Sequence, residues 1–216
     1  MENELLRKAS RRIALWMNSY TQKEGIELEK MTVGIEVLLI NVSKLVIIYS
    51  LAALLGTLPI TFAAHFSYAL LKRYSFGLHA LNSTVCTAVS CCLFIFLPLA
   101  LTSTGVAISS SVLVAVHAVA FIIFYRYAPA DTESRPLIGA YLRYELRVRA
   151  LASVILLQVV ALLAPSDSIR LALVLGVVYQ IGSIVPITYR VLGRRGRNYE
   201  RYEPSNVPGS AAFNRN

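Results

Sequence analysis

Residues 31–55 read MTVGIEVLLINVSKLVIIYSLAALL and are apolar almost throughout. A helix needs about 20 mainly apolar residues to cross roughly 30 Å of hydrocarbon, so this run is long enough to span a bilayer. The rest of the chain is similar in character, since 56% of its 216 residues are hydrophobic and 15% are charged. This composition argues against an ordinary soluble domain and predicts an integral membrane protein.

Six apolar runs predict an all-α fold, a polytopic membrane protein with about six transmembrane helices. The runs are Met31–Leu55, Leu58–Leu71, Val85–Leu101, Val106–Tyr125, Ala150–Ala164 and Ile169–Ile187. The second run is short and is interrupted by His65, Ser67 and Tyr68. We expect a short or tilted crossing there, because an isolated loop in hydrocarbon would leave backbone amides unpaired; a re-entrant hairpin is the alternative.

One membrane domain, residues 1–195, is expected, with a helix and a tail flanking its core. In residues 1–28 the apolar side chains share one helical face and the basic ones lie off it. This pattern is typical of an amphipathic interfacial helix and equally of a helix packed on the rest of the protein. The transmembrane bundle is expected at 31–188. The tail at 196–216, rich in Arg, Asn, Pro and Ser, is expected to be flexible and cytoplasmic.

Positive charge predicts the orientation in the membrane. Of the 21 Lys and Arg residues, Arg170 falls on one side of the six-span arrangement, Lys44 lies within a span, and all others lie on the opposite side. Because connecting segments rich in Lys and Arg stay in the cytoplasm, both termini are predicted to be cytoplasmic. Topology thus accounts for most of the net charge of +9, and nucleic acid is not expected as a partner.

The stretch RYSFGLHALNSTVC, residues 73–86, lies between two of the apolar runs and carries the candidate chemistry. Gly77 permits a sharp bend, and Asn82 and Ser83 are residue types that cap helices at the start of the third run. If Ser83 is the cap, Cys86 lies in the first turn, where free amides and the helix dipole favour a thiolate. A bend could bring His79 back to the sulfur, which predicts a nucleophile and its base.

Simpler interpretations of these residues remain open. A Cys seven residues from a His also occurs by chance, and Cys is commonly a buried packing residue. Cys91 and Cys92 are expected to pack in the span, since adjacent thiols do not match zinc-ligand spacings; no metal or cofactor is expected. Glu36, Asn41 and Lys44 interrupt the first span, and such residues normally face a protein interior or a water-filled cavity.

Three functions are compatible with these patterns, the third of which is a non-catalytic membrane scaffold. The histidine and cysteine indicate a peptidase. The intramembrane Glu36 and Lys44, together with the histidines, would suit a small transporter or peptide exporter without proteolytic activity. Glu36, Asn82 and Ser83 are candidates for a further active-site or substrate-binding role.

A family resemblance favours the first function. The segments KRYSFGLHALNSTVC (72–86) and YAPADTESRP (127–136) resemble the accessory gene regulator B (AgrB) family, and the resemblance extends over about residues 1–195. That family comprises bacterial cell-membrane cysteine endopeptidases of quorum sensing, which process an AgrD-type propeptide. The resemblance implies that Cys86 is the nucleophile, that His79 is its base, and that an acyl-enzyme thioester leads to a thiolactone peptide.

The resemblance also implies supporting roles for Lys72, Arg73, Gly77 and Ser83, and a homodimer. Basic cytoplasmic residues would meet the acidic region of the propeptide; they are Lys72, Arg73, Arg143, Arg147 and Arg149. One departure is Phe76, where many relatives have a second glycine before Gly77. The turn around Phe76 is therefore the part of the motif whose geometry the resemblance does not predict.

Overall fold

The computed structural model describes residues 2–79 and 82–203, and within these ranges every named element is helical. The all-α prediction is therefore confirmed for the described part of the chain. The chain divides after Gly56 into two structural units, which we describe separately.

The first unit contains two helices, α1 (Glu2–Thr21) and α2 (Ile26–Leu54). Between them the chain turns at Gly25, whose φ of 56° glycine adopts without the usual steric penalty. α2 begins before the predicted Met31 and carries Glu27 and Glu29 in its first turn, where carboxylates interact favourably with the helix dipole.

The second unit contains the remaining described elements. They are α3 (Leu58–Ser75), α4 (Ser83–Cys91), a π-helical turn (Cys92–Phe96), α5 (Leu97–Ser103), α6 (Ser110–Tyr127), α7 (Ala140–Leu162), α8 (Asp167–Ile184), α9 (Pro186–Val191) and a 3-10 helix (Asn198–Arg201). α4, the π turn and α5 follow one another without a break. Pro98 accounts for the π turn, because proline lacks an N–H and its ring would clash with the carbonyl of Phe94 in a regular α-helix.

Four helical segments of the described chain are long and apolar enough to cross a membrane. They are Ile26–Leu54, Ser83–Ser103, Ser110–Tyr127 and Asp167–Ile184. α3 and α7 are more polar: α3 ends in Lys72 and Arg73, and α7 carries several charges between Arg143 and Arg149. The structure therefore supports a membrane protein with four candidate spans, and a crossing by α3 and α7 stays a prediction.

α3 and α8 pack closely against each other in the second unit. Gly176 of α8 lies so near α3 that a Cβ atom would be 2.3 Å from the carbonyl oxygen of Ala64. Beside it, the buried Ser67 donates a hydrogen bond from Oγ to the Leu173 carbonyl at 2.8 Å. Small residues let two backbones approach, and the hydroxyl bonds across the gap. This contact holds α3 against α8.

We expect Gly176→Ala to destabilise the protein by about 1–3 kcal/mol, because the added methyl group overlaps the α3 backbone, which cannot move aside as a side chain can. Gly182→Ala is the matched control on the same helix, since nothing lies within 4 Å of the position that its methyl group would take. Thermal unfolding in detergent measures both variants. Equal melting temperatures for the two would contradict the α3–α8 packing described above.

Candidate active site

The segment that carries His79 begins with a sharp reversal at the end of α3. Phe76 has a φ of 55° and Gly77 a φ of 98°, so two consecutive residues adopt left-handed conformations. This conformation is unusual for Phe76, whose ring lies 4.8 Å from the guanidinium carbon of Arg135.

Backbone hydrogen bonds from two distant elements hold this reversal. Gly77 N–H donates to the Ala130 carbonyl at 2.8 Å, and Ala130 N–H donates to the Ser75 carbonyl at 2.9 Å. Leu78 N–H donates to the Ser183 carbonyl at 3.0 Å. A Cβ atom on Gly77 would lie 2.6 Å from that same Ser183 oxygen, so a larger residue does not fit. The backbone leading to His79 is therefore fixed by the α6–α7 loop and by α8.

Lys72 bonds to this segment and lies within electrostatic range of the candidate nucleophile. Its Nζ donates to the Leu78 carbonyl at 2.7 Å, immediately before His79. Lys72 also lies close enough to Cys86 for a charge on the sulfur to act on it, as does Tyr68 one helical turn earlier. The Lys72 ammonium lies 5.8 Å from the centre of the Tyr68 ring. One face of α3 thus contacts the His79 segment and also lies near Cys86.

Cys86 lies at the start of α4. The N-cap is Asn82, whose side-chain oxygen accepts from Thr84 N–H at 3.0 Å, so the predicted Ser83 cap is wrong by one residue. The Asn82 side chain bonds to the second following amide, as in an Asx turn, and Ser83 is the first helical residue. Cys86 N–H donates to the Asn82 carbonyl at 2.9 Å, which places the half-buried thiol at the end of the first turn.

The other predicted site residues lie in different surroundings. His79 is exposed, and the two residues after it lie outside the described ranges. Arg73 is exposed, with its guanidinium carbon 5.7 Å from the Tyr74 ring centre. Glu36 is half-buried on α2 and belongs to the other structural unit. Of the two remaining cysteines, Cys91 is buried as expected for packing, whereas Cys92 is exposed.

Several residues that position the His79 segment escape the sequence reasoning. Gln180 and Ser183 of α8 and Ala130 of the α6–α7 loop bond to it, although all three are remote in sequence. The one available signal is Gln180 itself, an amide side chain inside a largely apolar helix. Such a residue needs a hydrogen-bonding partner when it is buried.

The α6–α7 loop also anchors the C-terminal part of the described chain. The buried Asp131 accepts from the N–H groups of Asn198 at 3.0 Å and Tyr199 at 2.8 Å, and its carbonyl accepts from Tyr189 Oη at 3.0 Å. Burial raises the pKa of Tyr189, and the negative charge of Asp131 acts in the same direction. The predicted flexible tail thus has two parts: 196–203, which includes these bonds, and 204–216, which lies outside the described ranges.

The basic residues of α7 have intramolecular contacts. Arg143 forms a bidentate pair with Glu203, at 2.8 Å for its closer oxygen, and its guanidinium carbon lies 3.9 Å from the Tyr199 ring centre. Arg147 Nε donates to the Ala128 carbonyl at 2.8 Å, and Arg149 pairs with Glu145. These arginines contribute to the structure of the protein, whether or not they also contact a propeptide.

The long apolar helices are typical of a helical membrane protein. The His79 segment and the start of α4, which carries Cys86, form its candidate thiol site. The model of the family described as accessory gene regulator B matches residues 10–184, and the chain belongs to this AgrB family. The family is membrane-associated, takes part in agr quorum sensing and is associated with processing of the AgrD propeptide. The family resemblance seen in the sequence is therefore confirmed.

Individual relatives agree with this assignment. An AgrB-like protein of Clostridium acetobutylicum is 36% identical over 94% of this chain and 96% of its own length. An AgrB-like protein of Listeria innocua is 40% identical over 81% of this chain and 84% of its own length. The accessory gene regulator protein B of Staphylococcus haemolyticus is 27% identical over 82% of this chain and 92% of its own length. No solved structure matches the chain significantly.

We expect the Arg143–Glu203 pair to make the C-terminal anchor, the attachment of residues 198–203 to the α6–α7 loop and α7, sensitive to pH. Hydrogen bonds from Arg143 lower the pKa of Glu203, partial burial opposes them, and a hydrogen bond from Gly139 N–H adds to the lowering. Since the pair is partly exposed, we expect Glu203→Gln to raise deuterium exchange at the Asn198 and Tyr199 amides about threefold at neutral pH. Because the pKa of Glu203 is lowered in the folded protein, its ionised carboxylate stabilises the anchor at pH values above the ordinary carboxyl pKa. This stabilisation is lost as the pH falls through the lowered pKa.

The difference in exchange between Glu203→Gln and the wild type should accordingly disappear in acid. Glu200→Gln is the matched control, because Glu200 only approaches Arg197 at 3.8 Å and both side chains are exposed. Because each variant is compared with the wild type at the same pH, the intrinsic pH dependence of amide exchange cancels. A Glu203→Gln effect that persists unchanged in acid would contradict the assigned role of the carboxylate.

Proposed function

We propose that this protein is a membrane cysteine endopeptidase that cleaves an AgrD-type propeptide, with Cys86 as nucleophile and His79 as general base. The observation that carries the proposal is the position of Lys72. Its ammonium bonds to the carbonyl before His79 and lies near the Cys86 sulfur, so it links the two parts of the site. Covalent catalysis by a thiol requires a base within hydrogen-bond reach of the nucleophile, and His79 and Cys86 are proposed for these two roles.

The reaction is proposed to begin with proton transfer from the Cys86 thiol to His79. The sulfur then forms a bond to a peptide carbonyl carbon of the propeptide. The carbon–nitrogen bond of that peptide breaks, and His79 returns the proton to the departing amine of the C-terminal fragment. The N-terminal part of the propeptide is left as a thioester on Cys86.

A second acyl transfer completes the proposed reaction. A cysteine thiol within the propeptide attacks the thioester carbonyl, a new thioester closes the thiolactone ring, and the Cys86 sulfur leaves and regains a proton. One thioester replaces another, so the exchange needs no ATP. Excluding water from the site would favour ring closure over hydrolysis.

Other residues support this chemistry in the proposal. The Lys72 ammonium stabilises negative charge on the Cys86 sulfur, and Gly77 allows the close approach to Ser183 that the reversal needs. Ser83 contributes one of the first-turn amides of α4. Arg73, which is exposed, and Glu36 are assigned only to contact with the propeptide.

The site is proposed to lie at the cytoplasmic boundary of the bacterial cell membrane. This placement assumes six spans, with α3 and α7 as the two more polar crossings and both termini in the cytoplasm. α1 would then lie at the membrane surface. Exposed apolar side chains such as Ile122 on α6 would face lipid. The homodimer implied by the family resemblance stays a prediction.

A peptide exporter without proteolytic activity is the alternative, and the two functions respond differently to loss of the thiol. An exporter should tolerate Cys86→Ala, because transport forms no bond to the sulfur. A peptidase should lose propeptide cleavage in that variant while still binding the propeptide.

We expect Cys86→Ala to abolish cleavage and His79→Ala to lower kcat by about 10²- to 10⁴-fold, the usual contribution of a general base. Cys91→Ala and Cys92→Ala are the matched controls and should keep activity. Intact-mass measurement after mixing with propeptide should show the N-terminal fragment attached through Cys86. Cleavage that survives both Cys86→Ala and His79→Ala would overturn the site assignment.

A further inference from the structure

Gln180 is a fully buried amide side chain in α8, beside the end of α3. Its Nε2 donates to Ser75 Oγ at 2.6 Å and to the Phe76 carbonyl at 2.7 Å. Its Oε1 accepts from Ser183 Oγ at 2.9 Å. Both N–H groups and the oxygen are therefore used, as expected of an amide in an apolar interior.

The bond to the Phe76 carbonyl acts on the reversal itself. Because the carbonyls at the end of a helix have no partner in that helix, the Phe76 oxygen needs a donor from elsewhere. Gln180 supplies the donor and so orients the peptide plane between Phe76 and Gly77. The adjacent Leu78 N–H is held by the Ser183 carbonyl, one helical turn further along α8. Two positions of α8 thus fix the backbone immediately before His79.

We infer that Gln180 is a positioning residue that places His79 for its action on Cys86. The inference rests on the proposed function, because it assigns Gln180 to the base of that reaction. Without the amide, the Phe76 carbonyl would lose its buried donor and the left-handed conformation at Phe76 would lose a restraint. The His79 backbone would then sample positions from which the imidazole does not reach the thiol.

The test is a double-mutant cycle on the reactivity of Cys86. The full chain, purified in detergent with Cys91→Ala and Cys92→Ala, is alkylated with iodoacetamide, and the rate at Cys86 is measured by intact mass. We expect Gln180→Leu, which has similar size and no hydrogen bonds, to slow alkylation about tenfold. His79→Ala should slow it to a similar extent. The double variant His79→Ala/Gln180→Leu should be no slower than His79→Ala alone.

Gln158→Leu is the matched control. Gln158 lies on the neighbouring α7, and its side-chain amide has no hydrogen-bond partner among the described residues. The same chemical change there should leave the alkylation rate unchanged. If Gln180→Leu fails to fold, Gln180→Met takes its place, because methionine is unbranched and nearly isosteric with glutamine.

Two results would overturn the inference. One is an alkylation rate in Gln180→Leu equal to that of the wild type. The other is an effect that is as large in the His79→Ala background as in the wild type, which would show that Gln180 acts on the protein generally and not through His79.

The cycle is separate from the test of the proposed function. Absence of propeptide cleavage by the wild type would end the proposed function, while the alkylation cycle would still report whether Gln180 acts through His79. Where cleavage occurs, Gln180→Leu should lower kcat and leave KM within about twofold, because positioning of the base affects the chemical step and not propeptide binding.

Discussion

The candidate site depends on the way the backbone after α3 is held in its reversal. The positive φ of Phe76 costs free energy in an isolated chain, while the following Gly77 adopts its positive φ without that penalty, and the fold supplies hydrogen bonds that offset the cost at Phe76. Ala130 contributes from the α6–α7 loop, and Ser183 contributes from α8. Because these partners belong to elements of the same structural unit, the position of the segment leading to His79 depends on the packing of that unit.

The membrane character of the fold is predictable because it depends on composition alone. A run such as residues 31–55 is too long and apolar for a water-soluble helix, and the helix α2 forms there. α3 is harder to interpret, since its polar residues face other helices: Ser67 bonds to Leu173, and Ser75 bonds to Gln180. A hydropathy average counts these residues as unfavourable, although the packed structure satisfies them.

Only the features of the site that depend on residues close together in the sequence are predictable. The preference of Asn and Ser for helix N-caps predicts the start of α4 to within one residue, because the Asn82 side chain accepts from an amide only two positions away. The Gln180 contact with Phe76 joins residues 104 positions apart, and neither periodicity nor spacing carries that information. For the same reason, residues 198–203 have the composition of a flexible tail, yet Asn198 and Tyr199 donate their amides to the two carboxylate oxygens of Asp131.

The two halves of the candidate site are supported in different ways, and this has a chemical consequence. The His79 segment is bonded to α8 and to the α6–α7 loop, whereas Cys86 belongs to a helix whose first turn is capped by the neighbouring Asn82. Lys72 is the described side chain that bonds to the first half and lies near the second. A thiol on a locally capped helix start can accept a bulky acyl group without disturbing the segment that carries the base. In the proposed reaction Cys86 must hold such a group between cleavage and ring closure, while His79 keeps one position for both proton transfers.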